Sequence, residues 1–296
     1  MVTSPAGPAA PLPPEDAAAV LPPEARRDLR RLAERLAQTA GDLVRGARPA
    51  RVEVAATKST PTDVVTRMDR DVEDLLRREL AAARPGDAVL GEEGGLDERG
   101  RTGLTWVVDP VDGTVNYLYG LPGYAVSVAV VSGPPDPATW VVEAGAVHDV
   151  VGGRTWSAHR GGGATCDGVP LDPAWARDDP DLARCLTGTG FGYDAARRRH
   201  QAEVLVGVLP VVRDIRRLGA AAVDLCRVAS GELDLYFERG LQPWDHAAGG
   251  LVAVEAGAVV RGLGADRPTD RMVVAGSPRA AGELATLLER LDAGRD

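Results

Sequence analysis

The sequence predicts a folded protein of the α/β class, in which an α+β first half precedes an α/β second half. Three observations lead to this prediction. The chain has 296 residues, of which 44% are hydrophobic, so it can bury a substantial core. An apolar run at residues 104–108 indicates a buried strand that ends at the carboxylate of Asp109. Beyond residue 182, strand and helix patterns alternate, which is typical of a sheet layered with helices.

Composition divides the chain into three expected segments. Residues 1–24 are rich in Pro and Ala and lack apolar periodicity, which predicts a disordered tail. Residues 25–172 predict an N-terminal α+β subdomain, and residues 173–296 a C-terminal α/β subdomain. The boundary between them is expected in the Asp-Pro-rich stretch 172–182.

The first half begins with two helical patterns. Between residues 24 and 48, Leu and Ala recur every three or four positions, which predicts an amphipathic helix. Residues 58–69 form a polar connector, and residues 69–83 repeat the helical pattern. Residues 88–90 then predict a short strand that leads into a turn with two glutamates.

Strand patterns dominate the middle of the chain. Residues 123–131 and 140–151 predict two strands that a Pro-rich turn joins as antiparallel neighbours, and strand and turn patterns continue over residues 154–171. The alternating patterns that follow are strands at 185–189, 211–217, 233–237 and 272–275, and helices at 195–209, 219–230, 244–256 and 279–291.

Charge and composition exclude several classes of partner. The net charge is −9 and no basic stripe is present, which argues against a nucleic-acid-binding surface. No uncharged apolar run reaches the roughly 18 residues of a membrane span, and no secretory signal pattern opens the chain, so we expect a cytoplasmic protein without membrane contact. Three scattered cysteines and four isolated histidines fit neither a disulfide framework nor a zinc site, which favours metals with oxygen ligands.

The strand at 104–108 leads into the motif that organises the chain. Pro110 is expected to end the strand, so that Asp109 and Asp112 converge around a tight turn. Two converging carboxylates repel each other unless a cation lies between them. Gly113 and Thr114 follow with backbone N–H groups where a helix can begin, which is a favourable place for a phosphate. Taken alone, however, a D-x-x-D-G motif is more often a solvated turn.

Other candidate residues also have plain structural interpretations. Asp69 lies at a predicted helix start and is interpreted as an N-cap. Glu92 lies in a charged turn between glycines, and Asp245 lies in a first helical turn, where it favours the helix dipole. Arg216 could form a surface ion pair, and Glu238 could be a charge at a strand end.

Taken together, these motifs resemble those of a known enzyme family. The run from Asp109 to Thr114, preceded by Gly91-Glu92-Glu93 and followed by Trp244-Asp245, resembles the signature of the inositol monophosphatase family, which comprises magnesium-dependent, lithium-sensitive phosphatases. The resemblance follows the family's motif order over most of residues 25–290. It implies a layered αβαβα sandwich, two or three Mg²⁺ ions in each active site and a homodimer.

The resemblance also implies roles for individual residues. The implied metal ligands are Glu92, Asp109, the Val111 carbonyl, Asp112 and Asp245, with Asp69 reaching a third ion through water. Lys58, the only lysine, and Asp63 match the same family segment as Asp69, and Lys58 is a candidate electrostatic helper. The implied catalytic residues are Glu92 and Thr114, and the implied substrate-binding residues are Gly113, Thr114, Arg216, Ala221, Glu238 and Asp245.

The implied activity is hydrolysis of a small phosphorylated substrate, inositol monophosphate of the myo-inositol 1-phosphate type. Fructose-1,6-bisphosphate, histidinol phosphate and 3′-phosphoadenosine 5′-phosphate are alternative substrates within the same superfamily, and a regulatory scaffold that retains the fold is a non-enzymatic alternative. A covalent aspartyl-phosphate enzyme is disfavoured because the spacing here is D-x-x-D rather than D-x-D. A serine hydrolase is disfavoured because the sequence lacks G-x-S-x-G.

Overall fold

The computed structural model describes residues 21–58, 60, 64–97 and 100–295. The helices in this part of the chain are α1 (Pro23–Gly46), α2 (Arg67–Ala83), α3 (Thr114–Tyr119), α4 (Ala195–Val208), α5 (Ala221–Ser230), α6 (Pro243–Glu255) and α7 (Pro278–Arg290). The strands are β1 (Val54–Thr57), β2 (Val64–Thr66), β3 (Ala88–Gly91), β4 (Gly95–Asp97), β5 (Leu104–Asp112), β6 (Ala125–Ser132), β7 (Val141–Asp149), β8 (Arg154–His159), β9 (Ala164–Cys166), β10 (Val169–Pro170), β11 (Leu186–Thr189), β12 (Asp214–Arg216), β13 (Leu235–Glu238), β14 (Val259–Arg261) and β15 (Val273–Gly276).

The strands form two large sheets and a small hairpin of β1 and β2. The larger sheet has the order β10-β9-β8-β7-β6-β5-β3-β4, and its neighbours are antiparallel except for β3 and β5, which are parallel. The second sheet has the order β12-β11-β13-β15-β14, with β11 parallel to both of its neighbours. The antiparallel pairing of β6 with β7 confirms the expected arrangement of these strands.

Helices and sheets alternate in five layers. Helices α1 and α2 pack on one face of the larger sheet, and α5 and α6 pack on its other face. The second sheet lies against α5 and α6, and α7, with α4 beside it, covers the outer face. This order of layers confirms the predicted α/β class and the αβαβα sandwich.

The middle layer is thin because its helices are built from small residues. A Cβ atom added at Gly249 of α6 would lie 2.7 Å from the carbonyl oxygen of Ala222 in α5. A Cβ atom added at Gly145 of β7 would lie 3.1 Å from the Cα of Ala248. The two helices therefore approach each other and the sheet more closely than larger side chains would permit.

The N-terminal helix follows its predicted pattern closely. Leu29, Leu32 and Leu36 are buried against the larger sheet, and Pro23 occupies the first turn, where its missing N–H group costs nothing. The helix begins at Pro23, within the last two residues of the predicted tail, while residues 1–20 lie outside the described part of the chain.

The prediction that Pro110 ends its strand was wrong. Strand β5 continues to Asp112, and its pairing with β6 shifts register between Asp109, which faces Ser127, and Asp112, which faces Ala125. Two residues of β5 therefore oppose one residue of β6, as in a β-bulge. A bulge tolerates proline because one residue there is left out of the hydrogen-bond ladder.

Several element boundaries also differ from the sequence patterns. Helix α2 begins at Arg67 rather than at Asp69, because Thr66 is the residue that caps it. Four short strands were missed: β1, β2, β4 and β14. Each has only three or four residues, which is too short for an alternating pattern to be recognised.

The two halves of the chain share one core. Helices α5 and α6 lie in the second half, yet their apolar residues pack both on the larger sheet of the first half and on the second sheet. The subdomain division at residues 172 and 173 stays a prediction. Within the described residues, no helix combines the length and the apolar character needed to cross a bilayer.

A buried ion pair joins α1 to the larger sheet. Arg26 Nε lies 2.6 Å from Glu143 Oε2, and Ser132 Oγ donates to Glu143 Oε1 at 2.8 Å. The side chains of Arg26 and Glu143 are only 10% and 3% exposed. Glu143 therefore depends on these two donors for its charge to be tolerated inside the protein.

Replacement of Arg26 by methionine should lower the free energy of unfolding by about 3–5 kcal/mol, because it leaves the Glu143 carboxylate buried without its cation. Urea unfolding of the wild type, Arg26→Met, Glu143→Met and the double variant would measure this effect. The double variant should recover most of the loss, and additive losses would show that the pair is not coupled.

Candidate active site

The register of the larger sheet places two carboxylates side by side. Gly91, the last residue of β3, pairs with Val108 of the parallel strand β5. The next residues along the two strands are Glu92 and Asp109, which therefore emerge together at the carboxyl ends of neighbouring strands. The Asp109 carboxyl is within hydrogen-bonding reach of both Glu92 and Asp245. The expected meeting of distant acidic segments is thus found in the structure.

Asp112 joins the same cluster across the boundary between the halves of the chain. It follows Asp109 by three positions along β5, across the bulge, and its charge raises the pKa of Asp109. Asp112 Oδ1 accepts a hydrogen bond from Ala221 N at 3.2 Å, and Oδ2 accepts one from Ala222 N at 2.8 Å. The start of α5 therefore holds Asp112. Through the same contact, the candidate residue Ala221 lies beside the cluster.

Asp69 and Asp245 occupy equivalent positions on two different helices. Each lies at the third position of its helix and accepts the backbone N–H of the capping residue, from Thr66 at 2.8 Å and from Gln242 at 2.6 Å. These contacts belong to the capping-box arrangement. The interpretation of Asp69 as an N-cap is corrected by this finding, because the helix starts earlier and the cap is Thr66.

Burial raises the pKa of every carboxyl in the cluster, and the charge of Asp245 adds to the rise at the other three. The pKa values of Asp109 and Asp112 lie well above their ordinary range because both side chains are buried and face other carboxylates. Burial raises the pKa of Glu92 to about 7 although Lys58 opposes the shift, and it raises that of Asp245 to about 7 although the Gln242 N–H opposes it. The protein around the cluster therefore disfavours the ionised form of these carboxyls.

Lys58 is the cation that faces this cluster. Its Nζ atom lies 2.7 Å from Glu92 Oε1 and 2.6 Å from Glu93 Oε1. Burial alone would lower the pKa of Lys58, but the two glutamates outweigh this effect and raise it above its ordinary value. Asp63, which the family segment pairs with Lys58, lies outside the described residues. The position of Lys58 agrees with the electrostatic role expected of it.

Among the described residues, no group of three or more His, Cys, Asp or Glu side chains is already arranged to hold a metal ion. The carboxylates are gathered in one place without forming a finished coordination shell. Cation binding would therefore have to draw their oxygens closer together.

The turn after β5 requires glycine at position 113. Gly113 has φ 89°, and a Cβ atom there would lie 2.7 Å from the carbonyl oxygen of Gly123 and 3.1 Å from that of Gly219. The adjacent Thr114 hydroxyl lies 3.0 Å from the Val111 carbonyl oxygen and 3.2 Å from Asp69 Oδ1. Thr114 thus connects the turn to the start of α2, and it lies beside two of the expected metal ligands.

Asn116 holds this turn in place, and the sequence reasoning missed it. Its Nδ2 group donates to Gly123 O at 2.7 Å and to Leu218 O at 2.8 Å. These two bonds tie α3 to the loops before β6 and before α5. No sequence signal identified it, because its partners are loop carbonyls and one of them is 102 residues away.

Two substrate-side candidates have different surroundings. Glu238 is largely buried, accepts the Tyr236 hydroxyl at 2.5 Å, and has a pKa that burial raises to about 7. Its charge also raises the pKa of Asp245, so it lies near the cluster. Arg216 is exposed and pairs with Asp214 at 2.6 Å, as the alternative interpretation expected. The neighbouring Arg217 is the arginine whose charge acts on Glu238.

The raised carboxyl pKa values predict an unusual pH dependence of stability. Well below their ordinary pKa values of 4.5 and 3.8, Glu92 and Asp245 are protonated in both the folded and the unfolded chain. As the pH rises towards 7, they ionise first in the unfolded chain, so their contribution to stability is lost. Thermal unfolding with a chelator present should show that Asp245→Asn gains stability over the wild type across this range. Parallel curves for the two proteins would contradict the shift.

Comparisons with known proteins agree with the geometry. The model of the inositol monophosphatase family matches residues 25–293. An inositol-1-monophosphatase of Mycobacterium leprae is 49% identical over 244 residues, which cover 79% of this chain and 81% of that protein.

Solved structures show the same fold. Mycobacterium tuberculosis SuhB has a TM-score of 0.75 and 44% identity, covering 91% of this chain and 99% of that one. SaIMPase-II with inositol monophosphate bound has a TM-score of 0.72 and 26% identity, covering 90% and 96%. The match over nearly all of the described residues, together with the carboxylate cluster, shows that this chain belongs to the inositol monophosphatase family of phosphatases.

Proposed function

We propose that this protein is a metal-dependent phosphomonoesterase that hydrolyses inositol monophosphate, of the myo-inositol 1-phosphate type, to inositol and phosphate. The observation that carries the proposal is the cluster of Glu92, Asp109, Asp112 and Asp245, whose pKa values are all raised by burial, and in the first three also by the charge of Asp245. Such a cluster is costly unless cations neutralise it. Phosphate esters, whose hydrolysis develops charge on oxygen, need the same cations.

The donor set fits Mg²⁺. All the candidate ligands supply oxygen, which suits a hard divalent cation, and Lys58 is the only lysine that opposes their charge. Glu92, Asp109, the Val111 carbonyl, Asp112 and Asp245 would hold two ions, and Asp69 with Glu92 would hold a third. When bound, the ions would supply charge neutralisation and a more acidic water.

The chain's own groups orient the reactants. The Thr114 hydroxyl and the Glu92 carboxylate orient the attacking water, and the backbone N–H groups of Gly113 and Thr114 bind phosphate oxygens. The contact of Thr114 with both Asp69 and the Val111 carbonyl supports this role, because it fixes the hydroxyl beside the cluster. Water delivered directly to phosphorus leaves no covalent enzyme intermediate.

The substrate assignment is supported by the relatives and by Glu238. The Mycobacterium leprae relative is an inositol-1-monophosphatase, and SaIMPase-II has been solved with inositol monophosphate bound. A Glu238 carboxylate near the cluster can accept a hydrogen bond from a ring hydroxyl of a polyol. Arg216 and Ala221 complete the proposed substrate side. The cytoplasmic location and the homodimer stay predictions.

Phosphate release from a panel of phosphoesters, with Mg²⁺ and with added Li⁺, tests the function. The panel should contain inositol 1-phosphate, fructose 1,6-bisphosphate, histidinol phosphate and 3′-phosphoadenosine 5′-phosphate. We expect the highest kcat/KM for inositol 1-phosphate and inhibition by Li⁺. A protein that bound no metal and released no phosphate would instead fit a regulatory scaffold.

Replacement of Asp109 by asparagine should lower turnover by more than about 100-fold. It removes a carboxylate that would hold the proposed ions, and mutation of even the outer partners of metal ligands costs about 10- to 100-fold. Steady-state kinetics over a range of Mg²⁺ concentrations would measure the loss. Asp71→Asn removes a half-exposed carboxylate that pairs with Arg67 on α2 and serves as a control. Near-normal activity of Asp109→Asn would refute the metal assignment.

Replacement of Thr114 by alanine should lower kcat more than it raises KM, because the hydroxyl orients water rather than binding the ground-state substrate. Thr114→Ser keeps the hydroxyl and should retain most of the turnover. If Thr114→Ala raised KM while kcat stayed unchanged, the residue would contribute to substrate binding instead.

A further inference from the structure

A buried carboxylate beside the cluster has no role in the chemistry described above. Glu73 lies on α2, is 2% exposed, and accepts hydrogen bonds from two backbone N–H groups of the turn that carries Glu92. Its Oε2 atom accepts Glu93 N at 2.7 Å, and its Oε1 atom accepts Gly94 N at 2.8 Å. Both oxygens of one side chain therefore hold the same turn.

Arg77 completes the contact. It lies one helical turn after Glu73, and its Nε donates to Glu73 Oε1 at 2.8 Å. Its Nη2 group donates to the Gly95 carbonyl at 2.7 Å. The arginine thus neutralises the buried carboxylate and also binds the far end of the same turn. Two side chains of α2 therefore bind both the N–H groups and a carbonyl of this turn.

The glycines of the turn leave room for this carboxylate. A Cβ atom at Gly91 would lie 2.5 Å from Glu73 Cδ, and one at Gly94 would lie 2.7 Å from Glu73 Oε1. Neither glycine has a positive φ, so space rather than backbone conformation is what requires glycine here. The two glycines that flank Glu92 and Glu93 are therefore explained by the close approach of Glu73.

We propose that Glu73, held by Arg77, is a positioning residue that fixes the backbone of the 91–95 turn and so directs Glu92 at the metal site. Asp69 and Glu73 are four residues apart on α2, and so lie on one face of the helix. One helix face therefore supplies a carboxylate to the site and fixes the turn that supplies another. The inference rests on the proposed function for the role of Glu92.

Glu73→Gln tests the proposal, because an amide offers one acceptor where the carboxylate offers two and no longer neutralises Arg77. Titration calorimetry with Mn²⁺ alone should show binding weakened by about tenfold or more, while kcat at saturating Mg²⁺ falls less. Hydrogen exchange of the Glu93 and Gly94 amides should become faster in the metal-free protein.

Glu255→Gln is the matched control. Glu255, at the end of α6, also accepts two backbone N–H groups of a glycine turn, Gly161 N and Gly163 N, both at 2.8 Å. This variant should leave Mn²⁺ affinity and exchange in the 91–95 turn unchanged. Equal effects of the two variants on Mn²⁺ affinity, or unchanged exchange of the Glu93 and Gly94 amides in Glu73→Gln, would overturn the proposal.

Gly94→Ala tests the same contact from the other side. It keeps both charged residues but places a Cβ atom 2.7 Å from Glu73 Oε1 and 2.8 Å from Arg77 Nη2. It should weaken Mn²⁺ binding, whereas Gly282→Ala in α7, where the added Cβ would meet nothing within 4 Å, should not. If Gly94→Ala bound Mn²⁺ as tightly as the wild type does, the proposal would be overturned. Failure of the wild type itself to bind metal or release phosphate would refute the proposed function, while hydrogen exchange would still decide whether Glu73 holds the turn.

Discussion

Like charges gathered away from water are the constraint around which this molecule is built. Glu92, Asp109, Asp112 and Asp245 lie together in a buried region, where burial makes the ionisation of all four less favourable and the charge of Asp245 does so further for the other three. The fold offsets part of this cost with backbone N–H groups. Asp112 receives two from the start of α5, and Asp245 receives one from the capping residue of α6. A bound cation would offset the rest of this cost.

The sheet topology brings the charged segments together. The larger sheet is antiparallel except between β3 and β5, and this parallel pair places two strand ends at the same edge. The bulge at Pro110 then allows two carboxylates of one strand to approach each other, which a regular strand would prevent by alternating its side chains across the sheet. Helices α5 and α6 supply the remaining contacts from the second half of the chain.

Sequence patterns predicted the layers better than the local details. The alternation of strands and helices and the D-x-x-D-G motif were sufficient for the fold class and the family, both of which are confirmed. The effect of Pro110 was predicted wrongly because proline ends strands in general, and only the partner strand reveals a bulge. Asp69 was interpreted as the N-cap although it lies three residues after the true cap, Thr66, because Thr66 resembled part of a polar connector. Glu73 and Asn116 bind backbone groups far away in the chain, and such contacts leave no pattern in one sequence.

The thin middle layer limits which substitutions this protein can accept during evolution. Alanine and glycine let α5 and α6 fit between two sheets. The backbone of Ala222 lies so close to Gly249 that it would clash with a side chain there. A bulkier side chain at such a position would push α5 aside, and the amides that hold Asp112 would move with it. Mutational tolerance is therefore expected to be low in a region that never meets substrate, and drift should concentrate on the outer helices instead.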